Sequence, residues 1–419
     1  MTPLLKDFCT FLQDSPTAWH CVREVSNRLL QKNFQPLEEQ NLWTMQNGGR
    51  YFVSRGGSIA SFCLPKAPPK KIVLLVAHTD SPGLKVKPNP ILSQNGMNLL
   101  EVEVYGSPIL HSWLNRDLAL AGRCFVQTKQ EVQEKLVFLD SFPITIPELA
   151  IHLDREVNQK GPLLNKQEHL MPLLSLKSPM TLDMLLRKDI SFDNLLSFDL
   201  FLTPLEAPRL IGLEKEWLAS YRLDNLTSVH AATSAFIQYE DSPILPLMVF
   251  LDHEEIGSRS WEGAYSSFLH DLLCRLRCFY HLSEEEFLVL KRNSFCISLD
   301  MAHGLNPMHP QKHDPNHSPL LGKGVVLKHS AELKYASSAY SLAKAMQIGE
   351  RAGVPLQHFV SRSDIPCGST VGPCIAAAVG IPTVDLGCPQ LSMHSTRELI
   401  ATSDYLNCIT FLNEALRFI

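Results

Sequence analysis

A chain of 419 residues, 45% of them hydrophobic, can bury one large core and still supply a second, smaller one. Its formal net charge of -5 comes from an even mixture of signs, with no basic cluster interleaved with aromatics of the kind that tracks a phosphate backbone, so no nucleic acid partner is expected. No apolar run reaches the roughly 20 residues that span a bilayer, so no membrane partner is expected either.

The N-terminal stretch MTPLLKDFCTFLQDSPTAWH has acidic residues and a Ser-Pro break where a signal peptide would be apolar, which predicts a soluble, cytoplasmic protein. Leu4, Leu5, Phe8, Leu12, Trp19, Val22 and Val25 recur at helical spacings across Pro16. The eleven cysteines lie in mostly apolar contexts and read as reduced core residues rather than a disulfide framework. Cys274 and Cys278 lack a second matching pair, so a structural zinc knuckle is not expected.

After the surface turn PKAPPKK comes IVLLVAHTD, residues 72–80, a continuous apolar run that predicts a strand buried on both faces and ends in His78 and Asp80. From residue 91 the pattern changes to short alternating strands and then a proline-punctuated stretch to about 217, which suggests an inserted domain. Strand and helix signals alternate again from YRLDN onwards: the strand LPLMVFLDHEE, the helical GAYSSFLHDLLCRLRCFYHL, the strand SFCISLDMAH, and a last amphipathic helix at the C-terminus. This alternation predicts an α/β protein with a mixed central sheet flanked by helices.

Three of these strands finish in metal-ligand types: His78 and Asp80, Glu254 and Glu255, Asp300 and His303. Sites in open α/β sheets form at the carboxyl ends of strands, and Asp224 and His394 lie in loops that could reach the same edge. A lone His-x-Asp or Glu-Glu pair is more often a capped or solvated surface feature; the joint occurrence at the same end of buried strands is what argues for a site. Carboxylate and imidazole donors without thiolates suit zinc, and also manganese or cobalt. The five candidates His78, Asp224, Glu255, Asp300 and His394 oversupply one ion but would serve two about 3.5 to 4 Å apart, with Asp224 as the best bridge. Asp80 would orient the His78 imidazole. One of the adjacent glutamates would ligate while the other takes a proton from a metal-activated water. No Gly-x-Ser-x-Gly elbow is present for covalent catalysis, GSTVGP reads as a turn opening a helix, and the His309, His313 and His317 loop reads as a site-facing segment.

The motifs AHTDSPG, NRDLALAGR, IPELAIHLDREVN, YRLDN, LDHEEIGS, SLDMAH, RSDIPCGSTVGP and LGCPQLSMHSTRE occur in the order found in the aspartyl aminopeptidase family of dinuclear zinc peptidases, and the chain resembles the shorter bacterial branch over nearly its whole length. The resemblance implies His78 and Asp300 on one zinc, Glu255 and His394 on the other, Asp224 bridging them with a cis peptide to Asn225, and Glu254 as general base. It implies that His303, Lys328, Tyr335 and Met393 line the substrate pocket and that His152 reaches into a neighbouring subunit's site. It implies a catalytic domain (1–90 and 218–419) interrupted by a β-rich dimerisation domain (91–217), assembled as a tetrahedral homo-dodecamer. The expected activity is metal-dependent removal of an N-terminal residue, Asp or Glu being favoured through Lys328, by a metal-bridging water with Glu254 as base. The alternatives are a dinuclear carboxypeptidase or deacylase, and a non-catalytic scaffold or cargo-binding shell of the same fold.

Overall fold

The structure is a computed structural model of the chain and describes residues 2–176, 180–240 and 243–419. At its centre is a nine-stranded sheet in the order Gln35–Leu37, Arg50–Arg55, Ser58–Cys63, Leu245–Leu251, Ile72–His78, Phe295–Leu299, Thr383–Gly387, Val325–His329 and Leu356–Val360. The four strands from Leu245–Leu251 to Thr383–Gly387 run parallel, and an antiparallel pairing flanks them on each side. The sheet is mixed, as the sequence predicts.

Every residue of the three strands 245–251, 72–78 and 295–299 is buried. Val73, Leu75, Ala77, Met248 and Phe250 enter one apolar cluster, while Leu74, Val76, Leu247 and Val249 enter another. Alternate side chains thus meet opposite covers, which is why these runs carry no polar alternation. Helices Pro3–Asp14, Ala18–Gln31, Leu223–Phe236 and Thr402–Phe418 close the first face; Phe268–Phe279 and Val371–Val379 close the second. Leu223–Phe236 is buried on all sides, and its small residues Ser228, Ala231, Ala232 and Ala235 let it pack between the sheet and the last helix.

A six-stranded antiparallel sheet, in the order Glu131–Phe138, Leu118–Thr128, Asn194–Pro204, Gly83–Gln94, Met97–Tyr105 and Leu173–Ser175, has its own core around Leu84, Leu100, Trp113, Leu120 and Leu200. The change of pattern read at residue 91 falls inside the strand Gly83–Gln94: Pro88 and Pro90 shift its register between Val86 and Ile91 instead of ending it.

A third sheet of five short strands, Arg209–Ile211, Trp217–Ser220, Glu398–Ala401, Pro389–Leu391 and Ala302–His303, continues from the carboxyl ends of the central strands. Two of its strands follow directly from 295–299 and 383–387. Those ends approach so closely that a Cβ on Gly387 would come 2.0 Å from the Asp300 carbonyl oxygen, a contact only glycine permits. All eleven cysteines are free, and among the described residues no helix is long and apolar enough to cross a membrane.

Candidate metal centre

The carboxyl ends of the central strands and the small sheet enclose one acidic cleft. His78 ends the strand Ile72–His78, Asp300 follows Phe295–Leu299, and Glu254 and Glu255 open a single 3-10 turn, Glu254–Ile256, after Leu245–Leu251. His253, at φ 63°, turns the chain into that segment. Asp224 starts the buried helix, where the Asp224–Asn225 peptide is cis. His394, also at positive φ, lies in the turn between Pro389–Leu391 and Glu398–Ala401.

Asp224 stands between two imidazoles. Its Oδ1 lies 3.4 Å from His78 Nε2 and its Oδ2 lies 3.6 Å from His394 Nε2. Asp300 Oδ1 is 3.6 Å from the same His78 nitrogen, and Glu255 Oε1 is 3.4 Å from the same His394 nitrogen. Three overlapping groups therefore each bring ligand atoms within 4.8 Å of one another: His78, Asp224 and Asp300; Asp224, Glu255 and His394; and His78, Glu254 and Glu255.

The tautomers follow from the carbonyl groups behind the rings. His78 Nδ1–H donates to the Asp80 backbone oxygen at 3.1 Å, and His394 Nδ1–H donates to the Ser107 backbone oxygen at 3.1 Å. A carbonyl can only accept, so in the neutral ring the Nε2 lone pair faces the carboxylates. Asp224 Oδ1 is buried without a hydrogen-bond partner. Lone pairs and anions converging in a buried space around Asp224 fit divalent cation binding.

The protonation equilibria carry the same message. Burial opposes charge on His78, but Asp224, Asp300 and Asp80 outweigh it and hold the imidazole well above its ordinary value. His394 is raised to about 12 in the same way, burial being outweighed by Asp224 and Glu255. For Asp224 burial is overcome by the two imidazoles, and its carboxyl is held far below the usual range. Burial pushes Glu255 up to about 7, and drives Glu254 well above the carboxylate range with Glu255 and Asp300 adding repulsion. With protons as the only available cations, the cluster takes up protons; divalent ions would release them.

A surrounding layer fixes the cluster. Asp80 accepts the Glu254 N–H through Oδ1 and the Glu255 N–H through Oδ2, each at 3.1 Å, and Tyr105 donates to Oδ2 at 2.8 Å. Asp80 thus positions both glutamates as well as facing His78, from which its Oδ1 is 3.4 Å distant. Glu398 accepts the Asp224 N–H at 3.0 Å and the His394 N–H at 2.7 Å. Ser81 Oγ donates to the Asp224 carbonyl at 2.6 Å and Asn225 Nδ2 to the Leu299 carbonyl at 2.8 Å. Sequence reasoning assigned no role to Glu398, Tyr105 or Ser81, although Glu398 ends the HSTRE motif four residues after His394.

The cleft, of about 410 Å3, is also lined by His303, Lys328, Tyr335 and Met393. Lys328 is 1% exposed; its Nζ is 3.4 Å from Asp300 Oδ2 and 5.3 Å from the Tyr335 ring centre. Desolvation by the surrounding cleft and the Lys328 charge hold the imidazole of His303, which is exposed at the cleft mouth, below its ordinary value. His152 is exposed and does not line this cleft within one chain.

A fourth group, Asp252, His253 and Glu262, also has metal-ligand spacing, but His253 and Glu262 are already engaged by neighbours. Ser260 Oγ accepts from the Glu262 and Gly263 N–H groups, so its own proton goes to His253 Nδ1 at 2.8 Å. His253 Nε2 then carries its proton on the side of Asp252 Oδ2, 4.0 Å away. Glu262 accepts from the Gly57 N–H at 2.7 Å and faces Arg123 at 3.5 Å. This group holds the loop in place.

A sheet edge of this kind, lined by imidazole and carboxylate groups, is the architecture of a metallo-aminopeptidase. Residues 11–415 match the family model of the Aminopeptidase I zinc metalloproteases (M18), and the chain belongs to that family. It is 36% identical over 409 residues to a probable M18 family aminopeptidase 2 of Borreliella burgdorferi, covering 97% of this chain and 96% of the relative. A chain of the cryo-EM structure of the Ape4 and Nbr1 complex superposes with a TM-score of 0.94 at 33% identity, covering 99% of this chain and 85% of that one. The S. cerevisiae mApe1 dodecamer gives 0.86 at 26% identity, with 99% and 97% covered.

Proposed function

We propose that this aminopeptidase removes N-terminal residues from peptides at a pair of divalent cations, with acidic first residues preferred. The observation that carries the reading is Asp224 placed between His78 and His394, one carboxylate oxygen toward each imidazole. His78, Asp224 and Asp300 would hold one cation, and Asp224, Glu255 and His394 the other. The donor set suits zinc, with manganese or cobalt able to substitute. Once bound, such ions supply Lewis acidity that makes a water nucleophilic near neutral pH and polarises the peptide carbonyl.

Glu254 is the group with a carboxylate at the cluster and no assigned ligand role. It accepts the proton of the attacking water and returns it to the departing amine. Asp80 keeps Glu254 in place through its backbone N–H. The acidic wall attracts the free α-ammonium group of the peptide, which limits cleavage to one residue per event. Lys328, buried at the inner end of the cleft, meets the carboxylate of an Asp or Glu side chain.

The same reading includes a tetrahedral homo-dodecamer; the mApe1 relative is a dodecamer, which supports the number of copies. An inserted unit, read at 91–217 and flanked by the catalytic parts 1–90 and 218–419, makes the contacts between copies; the six-stranded sheet with its separate core supports such a unit, although its strand Gly83–Gln94 begins before residue 91. His152 lies beside the exposed Leu149, Ile151 and Leu153, an apolar stretch suited to meeting a second copy and carrying the histidine to its cleft.

Hydrolysis of X-Ala dipeptides by zinc-loaded protein tests the proposal. The expected order places X = Asp and Glu first; a preference for apolar or basic X removes the acidic specificity. Cleavage of N-blocked peptides in preference to free amines would make the protein a deacylase or carboxypeptidase. Full metal content without hydrolysis of any peptide would make it a scaffold.

A further inference from the structure

Behind the cleft lies a carboxyl group that the metal reading does not use. Asp385, in the central strand Thr383–Gly387, is fully buried and belongs to none of the groups with metal-ligand spacing. A carboxylate taken out of water needs donors on its oxygens, and here both donors come from segments that reach the cleft.

The first is the Ala336 N–H, 2.5 Å from Asp385 Oδ2. It belongs to the peptide bond joining Tyr335 to Ala336, so Asp385 fixes the backbone that carries the cleft-lining Tyr335 ring. Ser337 adds a second tie, its Oγ accepting the Asp385 backbone N–H at 3.0 Å. Residues 332–334, just before the tyrosine, are exposed, and the N–H groups of Leu333 and Lys334 turn back on Ser330.

The second donor is the Thr370 hydroxyl, 2.7 Å from Asp385 Oδ1. Thr370 caps the helix Val371–Val379, its Oγ1 accepting the Gly372 N–H at 3.3 Å. It also ends the irregular segment 361–369, of which Gly368 and Ser369 line the cleft. The first turn of that helix rests directly on the carboxylate, since a Cβ on Gly372 would lie 2.3 Å from Asp385 Oδ2. The two segments meet each other as well: Cys367 packs against the cluster that contains Tyr335 and Phe359.

Lys328 stands beside them. The antiparallel pairing of Leu327 with Leu386 sets Lys328 and Asp385 one step further along the two strands, and Lys328 Nζ is 5.3 Å from the Tyr335 ring centre.

We infer that Asp385 is a positioning residue for recognition of the first substrate side chain, one buried carboxylate holding Tyr335 and the Gly368–Ser369 segment together as a preformed wall beside Lys328. It does not line the cleft itself and acts through the residues it holds; a wall set in advance spares the substrate the cost of ordering it. The inference rests on the aminopeptidase reading of the cleft, in which Lys328 meets that same side chain.

The test uses zinc-loaded protein with two substrates: X-Ala, for the first residue X that the unaltered chain cleaves best, and Gly-Ala, which has no side chain to meet the wall. In Asp385→Ala the ratio of kcat/KM for X-Ala to that for Gly-Ala is expected to fall about tenfold, through KM rather than kcat. Both substrates report on the same folded molecules, so partial unfolding cancels from the ratio. Asp385→Asn keeps an oxygen for the Ala336 N–H and an amide for the Thr370 oxygen, and is expected to restore most of the ratio. Where the alanine variant does not fold, Thr370→Val cuts one tie; a fall of about threefold is expected, recovered in Thr370→Ser. An unchanged ratio overturns the inference, as does zinc lost in step with activity. Calorimetric titration of both dipeptides into Glu254→Gln separates the two readings. Tighter binding of X-Ala than of Gly-Ala, with the difference lost on adding Asp385→Ala, supports the wall whatever the turnover. A difference that survives the second change rejects the role of Asp385 and leaves the aminopeptidase reading standing, and binding of neither dipeptide rejects both.

Discussion

Glu398 links the two ends of the candidate metal centre by holding Asp224: its Oε2 accepts the Asp224 N–H at 3.0 Å while its Oε1 accepts the His394 N–H at 2.7 Å. It is 2% exposed, and burial, with the adjacent Asp224 charge, raises its carboxyl to about 8. A single side chain therefore ties together the Asp224 carboxylate and the His394 imidazole, which lie 170 residues apart in sequence, counted from their numbers.

Glu398→Ala leaves two buried N–H groups without acceptors. The expected cost is about 2 kcal/mol or more of stability, together with about 10- to 100-fold weaker metal binding. Chelator competition and thermal unfolding measure these separately. Glu398→Gln keeps one oxygen acceptor and is expected to recover part of the affinity. Metal binding at the unaltered level in the alanine variant would reduce Glu398 to a packing residue.

Removing metal should reverse the pH dependence of stability. In metal-free protein Glu255 titrates at about 7 and Glu398 at about 8, against 4.5 when unfolded. The folded chain then holds more protons than the unfolded one, so these groups lose stability as pH rises from about 4.5 to 8. His394, raised from 6.5 to about 12, contributes stability that is whole below 6.5 and declines above it, with the same sign. Asp224, whose carboxyl is lowered, loses its contribution only as pH falls below the ordinary carboxylate range, outside this window. The melting temperature of chelated protein should fall by several degrees between pH 5 and 8. That of zinc-loaded protein should hold or rise, because the ligands bind metal only when deprotonated. Parallel curves would contradict the cation reading of the cluster.

How far the sequence revealed this arrangement depends on the kind of interaction. The runs IVLLVAH, LPLMVFL and FCISL identified three neighbouring central strands, because burial on both faces removes polar alternation and leaves a continuous apolar signal. Side chains at the ends of those runs could be placed at one edge of the sheet for the same reason. Glu398 and Tyr105 were not legible. They act through a backbone N–H or a carboxylate supplied by another segment, which leaves no periodicity or spacing in the chain. The change of pattern read at residue 91 has no matching break in the backbone: Gly83–Gln94 runs through it with a register shift, because an antiparallel strand can absorb the donors lost at Pro88 and Pro90 in a bulge.

Lys328→Met tests the origin of acidic specificity. The ammonium is 1% exposed and its charge is shared with Asp300 at 3.4 Å. If it also meets the substrate carboxylate, the change should lower kcat/KM for Asp-Ala by about 10- to 100-fold relative to Ala-Ala, the range of a charged hydrogen bond. Metal content measured on the same preparation guards against an indirect effect through Asp300. An equal loss on both dipeptides would place the specificity elsewhere.

Glu254→Gln separates binding from chemistry. Glu254 takes part in only one of the three overlapping ligand groups, and that group contains neither Asp224 nor His394, so its loss leaves His78, Asp224, Asp300, Glu255 and His394 in place. Gln cannot accept the proton of an attacking water, and general-base removal costs about 10^2- to 10^4-fold in rate. The expected result is kcat lowered by about that factor, with KM within a few-fold and two metal equivalents retained by elemental analysis. In the metal-free chain burial drives this carboxyl well above its ordinary range; with cations beside it the charged form is favoured, so the acid limb of kcat/KM should move when zinc is exchanged for manganese. A variant that keeps near-normal turnover would assign proton transfer to another group, and one that loses metal along with activity would make Glu254 a ligand.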